Sequence, residues 1–400
     1  MPLVHRRGPC GSPLGGARSN DNEHPTADDV FDRDALRLRS LFAARQGGVQ
    51  AAAEEASLTI PATSTPISVA PGALEYRVLA GYGTPVQRFN VAFDTNYGAS
   101  VLRCKPCFAS AAPCEPAFDP FISSSFAAVA CGSPECSAEC TDGSSRCPFT
   151  VQFGNTTVAN GTLVRDTLTL SPSATISGFT FGCIEAGADA LTFDAAVGLI
   201  DLSRNTNSLA SGGFLSVGAS RPEYNGSDIK YAPMSSNPNH PNSYFVHLVG
   251  ISIGGEDLPV QPTVFAAAGT MLEVATEFTF LVPAAYAALR DVFRREMAQY
   301  PPAPPFRALD TCYNFTGTKE LSTPVVALRF NGGTVLELDA PQMMYFTDPS
   351  DVFSSVGCLA FAAAPLPEFP VSVIGTLAQR STEVVYDVRG GRVGFIPGRC

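Results

Sequence analysis

From Leu74 onward the chain is written in short apolar or alternating runs, each cut by Gly, Pro or Asn. LEYRVLAGYG, FNVAFDT, FTVQFG, GTLVRDTLTL and GFTFGC are followed by YFVHLVGISIGG, VVALRF, TVLEL and EVVYDVRGGRVGFI. Runs of β-branched and aromatic residues between turn formers predict strands and hairpins. One stretch breaks the rhythm. Pro283 to Gln299 (PAAYAALRDVFRREMAQ) reads as a helix, opened by Pro283 in its first turn and stopped by Pro301 and Pro302.

The first 73 residues follow a different pattern. They are polar and Arg-rich, with one predicted helix from Asp29 to Gln46. Its Val30, Leu36, Leu38, Leu41 and Phe42 form a ragged apolar face. The stretch TIPATSTP, from Thr59 to Pro66, reads as a linker. The whole segment reads as removable or mobile, with a disordered tail as the plain alternative.

The pattern also repeats weakly. An apolar run ends in Asp94-Thr95, and Val197-Gly198-Leu199 follows far downstream. A second apolar run ends in Glu273-Val274-Ala275-Thr276, and Ile374-Gly375 follows at a similar remove. Two acid-bearing turns, each answered by an apolar-Gly strand, predict two similar lobes.

Composition narrows the class. Of 400 residues, 45 % are hydrophobic and only 16 % charged, with 35 Gly and 33 Pro, which favours an all-β globular protein with many turns. The net charge is -11 and there is no basic stripe, which argues against nucleic acid as a partner. An acidic surface is repelled by anionic membranes, and no stretch is long and apolar enough to span one. Twelve cysteines, seven of them between Cys104 and Cys147, stand beside only four His. Cys104-Lys-Pro-Cys107 alone would suit zinc or a redox pair, yet the other spacings match no zinc pattern, and disulfides are the better reading. Asn155, Asn160, Asn225 and Asn314 head glycosylation triplets and point to the same secretory route. The opening MPLVHRRGPCGSPLGG carries no apolar core of a signal peptide.

The candidate chemistry lies in the two acid-bearing turns. Two carboxylates held a few Å apart cannot both ionise. They share a proton, so that one serves as base toward water and the other as acid toward a carbonyl. Each needs small neighbours for close backbone approach.

With these turns in place, the chain from about Leu74 to Cys400 resembles the pepsin-like aspartic proteases, peptidase A1, and within them the plant nepenthesin-like group. LEYRVLAGYGTPVQRFNVAFDT resembles the lobe entry and first Asp-Thr-Gly turn, CKPC the cysteine-rich insertion, and FTVQFGNTTVANGTLVRDTLTL the flap hairpin. FGC, AAVGLIDLSR, YFVHLVGISIGGEDLPV, LDTCYNFTG, CLAFAA and the C-terminal VSVIGTLAQRSTEVVYDVRGGRVGFIPGRC follow in family order, and PLVHRRGPC resembles a propeptide. The resemblance implies a mainly β, bilobal fold with two β-barrel-like lobes and a cleft between them. It implies a propeptide-like segment at 1–73, an N-terminal lobe at 74–232 and a C-terminal lobe at 233–400. The first lobe would hold the insertion at 104–147 and the flap near 150–165.

Asp94 takes the first catalytic position and Glu273 the second; Thr95, Asn96, Ala275 and Thr276 support them, and Phe153 takes the flap position. The departures lie at these residues. Asn96 and Ala275 stand where glycine is expected, Tyr97 follows in place of a small hydroxyl residue, and Val274 removes another hydroxyl. Glu273 adds a methylene, which displaces a carboxylate by roughly 1.5 Å, one carbon–carbon bond. Misplacement of about 1 Å costs on the order of 100-fold in rate. Left-handed conformations are tolerated by Asn, so the Asn96 turn itself is expected to survive. On the residues alone, Glu273 reads equally as an exposed loop acid; for Asp94 the alternative is an acid capping its own turn, and the flanking match favours a site remnant.

By the same resemblance the disulfides would be Cys104–Cys107, Cys114–Cys183, Cys131–Cys147, Cys136–Cys140 and Cys312–Cys358, leaving Cys10 and Cys400 unpaired. The family's Phe-Ser-Tyr-Cys strand is missing where Ser211 meets Gly212. The expectation is therefore an aspartic-type endopeptidase homologue, impaired or inactive, needing no cofactor or metal. It would be monomeric and secreted or vacuolar, and would take a peptide or protein in its cleft. An inhibitor-like member that binds without cleaving is the alternative.

Overall fold

The computed structural model describes residues 4–5, 31–32, 34–35, 37–38, 76–96, 98–108, 116–136, 138, 140, 145–153, 156–172, 174–186, 196–204, 214–217, 229–266, 269–348, 351–365 and 371–397. The chain forms two compact units: Met1–Arg6 with Leu36–Gly212, and Arg7–Ala35 with Gly213–Cys400. The division after the first unit falls at Gly212.

Among the described residues, the first unit forms one nine-stranded sheet. The alternating run Tyr76–Tyr82 pairs antiparallel with Gln87–Asp94, and its far end also meets the long strand Thr156–Ser171 through Gly81 and Tyr82. That second pairing curls the sheet over its own apolar face, as in a barrel. Inside lie Val78, Val91, Phe93 and Leu199, with Tyr82, Phe89, Phe118 and Phe181 meeting ring to ring.

The strand that delivers Asp94 sits in a particular crossing. Gln87–Asp94 runs parallel to Gly198–Asp201, with Ala92, Phe93 and Asp94 opposite Leu199, Ile200 and Asp201. The returning strand Val101–Phe108 then pairs antiparallel with the same short strand through Val101 and Leu102. A Cβ on Gly198 would stand 2.2 Å from the Val101 carbonyl oxygen, so only glycine allows the two strands to cross there.

The second unit repeats the device. Its nine-stranded sheet sets Thr270–Leu272 parallel to Ser372–Ile374, and Thr279–Leu281 returns antiparallel beside it through Phe280 and Val373. A Cβ on Gly375 would stand 2.3 Å from the Phe278 carbonyl oxygen. The two expected acid-turn-and-glycine repeats are thus the same topology built twice. The described residues of this unit also form two four-stranded sheets. The helix predicted from Pro283 runs Pro283–Glu296 and buries Ala285, Tyr286, Leu289, Val292 and Phe293. It stops before the expected Gln299 because Met297 leaves helical geometry.

The disulfides correct the expected pairings. Cys104 bonds Cys183, a strand-to-strand link where Cys104–Cys107 and Cys114–Cys183 were expected. Parallel pairing of Val101–Phe108 with Ala174–Ala186, Leu102 opposite Cys183, brings these two together. Cys131 bonds Cys140 and Cys136 bonds Cys147, in place of Cys131–Cys147 and Cys136–Cys140. Sequence spacing does not separate these choices, because the sulfurs of Cys131, Cys136 and Cys140 all lie within 4.8 Å of one another. Cys312–Cys358 forms as expected, across directly paired residues of two strands. The side chains of Cys10, Cys107, Cys114 and Cys400 lie outside the described residues.

Candidate active site

In the first unit, Asp94 ends its strand with its side chain fully buried. The apolar residues Val91, Ala92 and Phe93 before it hold the strand in the core, and Asp94 and Thr95 stay buried with them. The turn beyond is closed by the acid itself: Asn96 N–H donates to Asp94 Oδ1 at 2.7 Å. The turn-capping reading of Asp94 therefore holds, with the Asn96 amide as donor. Asn96 Nδ2 also reaches Thr95 Oγ1 at 3.5 Å, and Leu202 N–H donates to the Asp94 carbonyl.

Asp94 also takes a guanidinium. Arg37 Nη2 donates to Asp94 Oδ1 at 2.8 Å and lies 2.7 Å from Oδ2, with the two side chains only 2 % and 1 % exposed. Arg37 and Leu38 are helical and buried. The sequence pattern singled out Leu38 and missed Arg37, since an arginine on a helix ordinarily faces water. Burying it takes an acid already in place.

Asp201 is a second carboxylate in the same unit that the sequence reading passed over. It lies opposite Asp94 in the parallel pairing and is buried. Its Oδ1 accepts the N–H of Gly98 at 3.1 Å and of Ser203 at 3.1 Å, while Oδ2 accepts from Ser203 Oγ at 2.9 Å. Ser100 Oγ in turn accepts the Asp201 N–H at 3.0 Å. Burial, with a smaller contribution from the Asp94 charge, pushes the Asp201 carboxyl up to about 6 against the pull of its Ser203 and Gly98 bonds. A signal was present: Asp201 closes the apolar run Val197 to Ile200, as Asp94 closes its own.

In the second unit, Glu273 is fully buried, which overturns the exposed-loop reading. It follows Thr270–Leu272, and its N–H donates to the Ile374 carbonyl. Its Oε1 accepts the Ala275 N–H at 3.0 Å. Each unit thus has an acid bonded to the amide two residues on. Gln379 Nε2 donates to the Glu273 carbonyl at 3.0 Å and to that of Ile374 at 3.1 Å, bracing the turn from behind. Thr95, Thr276 and Ala275 are buried.

The same unit holds another carboxylate from the N-terminal segment. Asp34 Oδ2 accepts the N–H groups of Glu277 and Phe278, each at 2.9 Å, and Phe31 stacks on Phe278 with ring centroids 4.4 Å apart. Glu277 pairs with Arg380 at 3.1 Å.

The flap strand Pro148–Phe153 forms a hairpin with Thr156–Ser171, in which Phe153 lies opposite Thr156; the Phe153 side chain lies outside the described residues. Asn160 and Asn314 are exposed, while Asn155 and Asn225 fall outside the description. Among the described residues, the one grouping with the ligands for a metal is Cys131, Cys136 and Cys140, whose sulfurs are engaged in disulfides.

Comparison with known proteins agrees with the mainly β fold. The xylanase inhibitor N-terminal domain family matches residues 76–215, and the xylanase inhibitor C-terminal family matches 243–397. The chain is 31 % identical to the Arabidopsis thaliana aspartyl protease AED1 over 421 aligned residues, covering all of this chain and 86 % of that one. It is 28 % identical to the aspartic proteinase nepenthesin-1 of Nepenthes gracilis, covering 83 % of this chain and 80 % of the other. Among solved structures, soybean basic 7S globulin superposes with a TM-score of 0.60 at 20 % identity, over 81 % of this chain and 93 % of that one.

Proposed function

We propose that this chain, which belongs to the pepsin-like aspartic proteases and within them to the nepenthesin-like group, is an aspartic-type endopeptidase homologue whose turnover is impaired or lost. The observation that carries this reading is Glu273. It stands at the second acid position with one methylene more than aspartate, and it bonds back to its own Ala275 amide. The first acid keeps its turn through Asn96. Water activation by a shared proton needs both carboxylates placed to within a fraction of an ångström. The longer side chain, the Cβ atoms of Asn96 and Ala275, and the missing hydroxyl at Val274 all work against that placement.

Residues 1–73 act as a propeptide-like segment in this reading. Arg37 on Asp94 supports it in the first unit, and Asp34 on the Glu277 and Phe278 amides supports it in the second. A secreted or vacuolar location is supported by the four disulfides among the described residues and the exposed Asn160 and Asn314. No described helix is long and apolar enough to cross a membrane.

A second reading, a non-catalytic member that binds a peptide or protein, is supported by the seating of Arg37. A carboxylate that holds a guanidinium this well is a receptor whether or not it cleaves. One experiment addresses both readings. The full chain and its Arg37→Gln variant are incubated with a denatured protein at pH 3 to 5. No cleavage by either is expected. Cleavage that disappears in Asp94→Asn would overturn the impaired reading.

A further inference from the structure

We infer that the solvent face of one four-stranded sheet in the second unit is a receptor for the C-terminal residue of a peptide. The Arg329 guanidinium takes the terminal carboxylate, and Val249 and Val335 take a branched aliphatic side chain. None of these residues belongs to either acid-bearing turn, so the inference does not depend on turnover.

A glycine and a bulge build the site. The strand Leu248–Ile253 pairs antiparallel with Val326–Phe330, which pairs in turn with Val335–Leu338. Val326, Leu328 and Phe330 are buried, so the alternation of a strand turns Arg329 to the other face. There it stands between Gly250 on one neighbour and Val335 on the other. The register slips between Leu248 and Gly250, which makes Val249 the extra residue of a bulge. Val249 is 39 % exposed and Val335 40 %. A Cβ on Gly250 would stand 2.5 Å from Arg329 Nη2 and 3.2 Å from Nε. The guanidinium therefore lies over the bare glycine, with Nη1 tied to Asp257 Oδ1.

Three observations point to a chain end. The Asp257 bond uses Nη1 alone, and Nε and Nη2 of Arg329 have no acceptor among the described residues. Those two N–H groups share one edge of the fork and match the two oxygens of a carboxylate. The Asp257 side chain is 61 % exposed, so its attraction is screened and its part is to aim the fork. Next, Val249, Arg329 and Val335 share with the turn 331–334 the wall of a cavity of about 390 Å³. That is the small end of the range for ligand sites. An inorganic anion on the guanidinium would leave both valines uncovered. Finally, Asn331 Oδ1 accepts the Gly332 N–H at 2.9 Å, and its Nδ2 donors have no acceptor among the described residues. Thr334, on the same wall, has a hydroxyl buried without a hydrogen-bond partner. A peptide link before the terminal residue supplies the carbonyl that such donors need.

The test uses the full chain with N-acetyl-leucine as the chain-end probe. No protein substrate is added, so its failure is separate from failure of the cleavage prediction. Ligand-observed NMR titration is expected to show binding with Kd on the order of 1 mM. N-acetyl-leucinamide lacks the carboxylate and isovalerate lacks the peptide link; each is expected to bind about tenfold more weakly. Arg329→Gln is expected to weaken N-acetyl-leucine binding about tenfold. Arg329→Lys keeps the charge and loses the fork, and is expected to weaken it about fivefold. Val335→Ser is expected to weaken it about threefold. Thermal melts of the three variants check that each is folded, as substitution on a half-exposed face should allow. No binding of N-acetyl-leucine up to about 10 mM, equal binding of the amide, or unchanged affinity in Arg329→Gln overturns the proposal. Equal binding of isovalerate overturns it in favour of a free aliphatic acid.

Discussion

Arg37 Nη2 lies 2.7 Å from Asp94 Oδ2 with both side chains out of water. The pair joins an arginine from the polar N-terminal segment to the acid that the strand pattern marks as the site of the first unit. A buried ion pair is weak evidence for net stability, because desolvation offsets the attraction, but breaking one partner away is costly.

The first prediction concerns that asymmetry. Arg37→Ala takes the guanidinium away from the buried Asp94, and is expected to lower unfolding stability by about 3 kcal/mol. Arg37→Lys is expected to lose less, since it keeps the charge. Urea unfolding of the three proteins measures this; equal midpoints for the alanine variant and the wild type would remove the pair from the account.

Asp34 makes the matching test in the second unit. It accepts two buried backbone N–H groups, from Glu277 and Phe278. Asp34→Ala leaves both amides without this acceptor and is expected to cost about 2–4 kcal/mol, at 1–3 kcal/mol for each unsatisfied group with partial hydration. Asp34→Asn, which still offers an oxygen, is expected to lose less than half of that. Thermal melts of both variants give the comparison.

Stability against pH carries the signature of Asp201. Its folded-state carboxyl is raised from 3.8 to about 6, so the native state holds more protons than the unfolded chain between those values. The group's contribution is then most favourable below pH 4 and is lost as pH rises toward 6. The difference in unfolding free energy between wild type and Asp201→Asn is expected to change by up to about 3 kcal/mol across that window. A difference that is flat from pH 4 to 7 would contradict the raised carboxyl.

Removing one methylene is not expected to restore turnover. Glu273→Asp shortens the side chain, yet Asn96, Val274 and Ala275 remain. Peptidase assay of this single variant at pH 3 to 5 is expected to show no robust cleavage, and robust cleavage would place the whole defect in one methylene.

The disulfides give a direct chemical check. Digestion without reduction followed by mass spectrometry is expected to yield a peptide pair linked through Cys104 and Cys183, and another through Cys312 and Cys358. A Cys104–Cys107 link in the same digest would restore the pairing inferred from resemblance.

Much of this molecule was legible before folding. Period-two alternation set most of the strands, because one face of each must be buried, and Pro283 marked the start of the long helix. Two apolar runs ending in acids announced Asp94 and Glu273, and the glycines answering them, Gly198 and Gly375, are required by a carbonyl a little over 2 Å from where a Cβ would lie. The third acid of the same kind, Asp201, carried the same local signal and went unread, since nothing in a linear pattern says which strand lies beside which.

What the sequence by itself determined is the set of elements and the two acid-bearing turns, each answered by a glycine, all of which depend on neighbours a few residues away. What only the tertiary structure decided are the partners: Arg37 on Asp94, Asp34 on the Glu277 and Phe278 amides, Asp201 under the 95–98 turn, and Cys104 with Cys183. Burying a charge or choosing among crowded thiols depends on what the rest of the chain brings within a few ångströms, and that information appears only when distant strands are laid side by side.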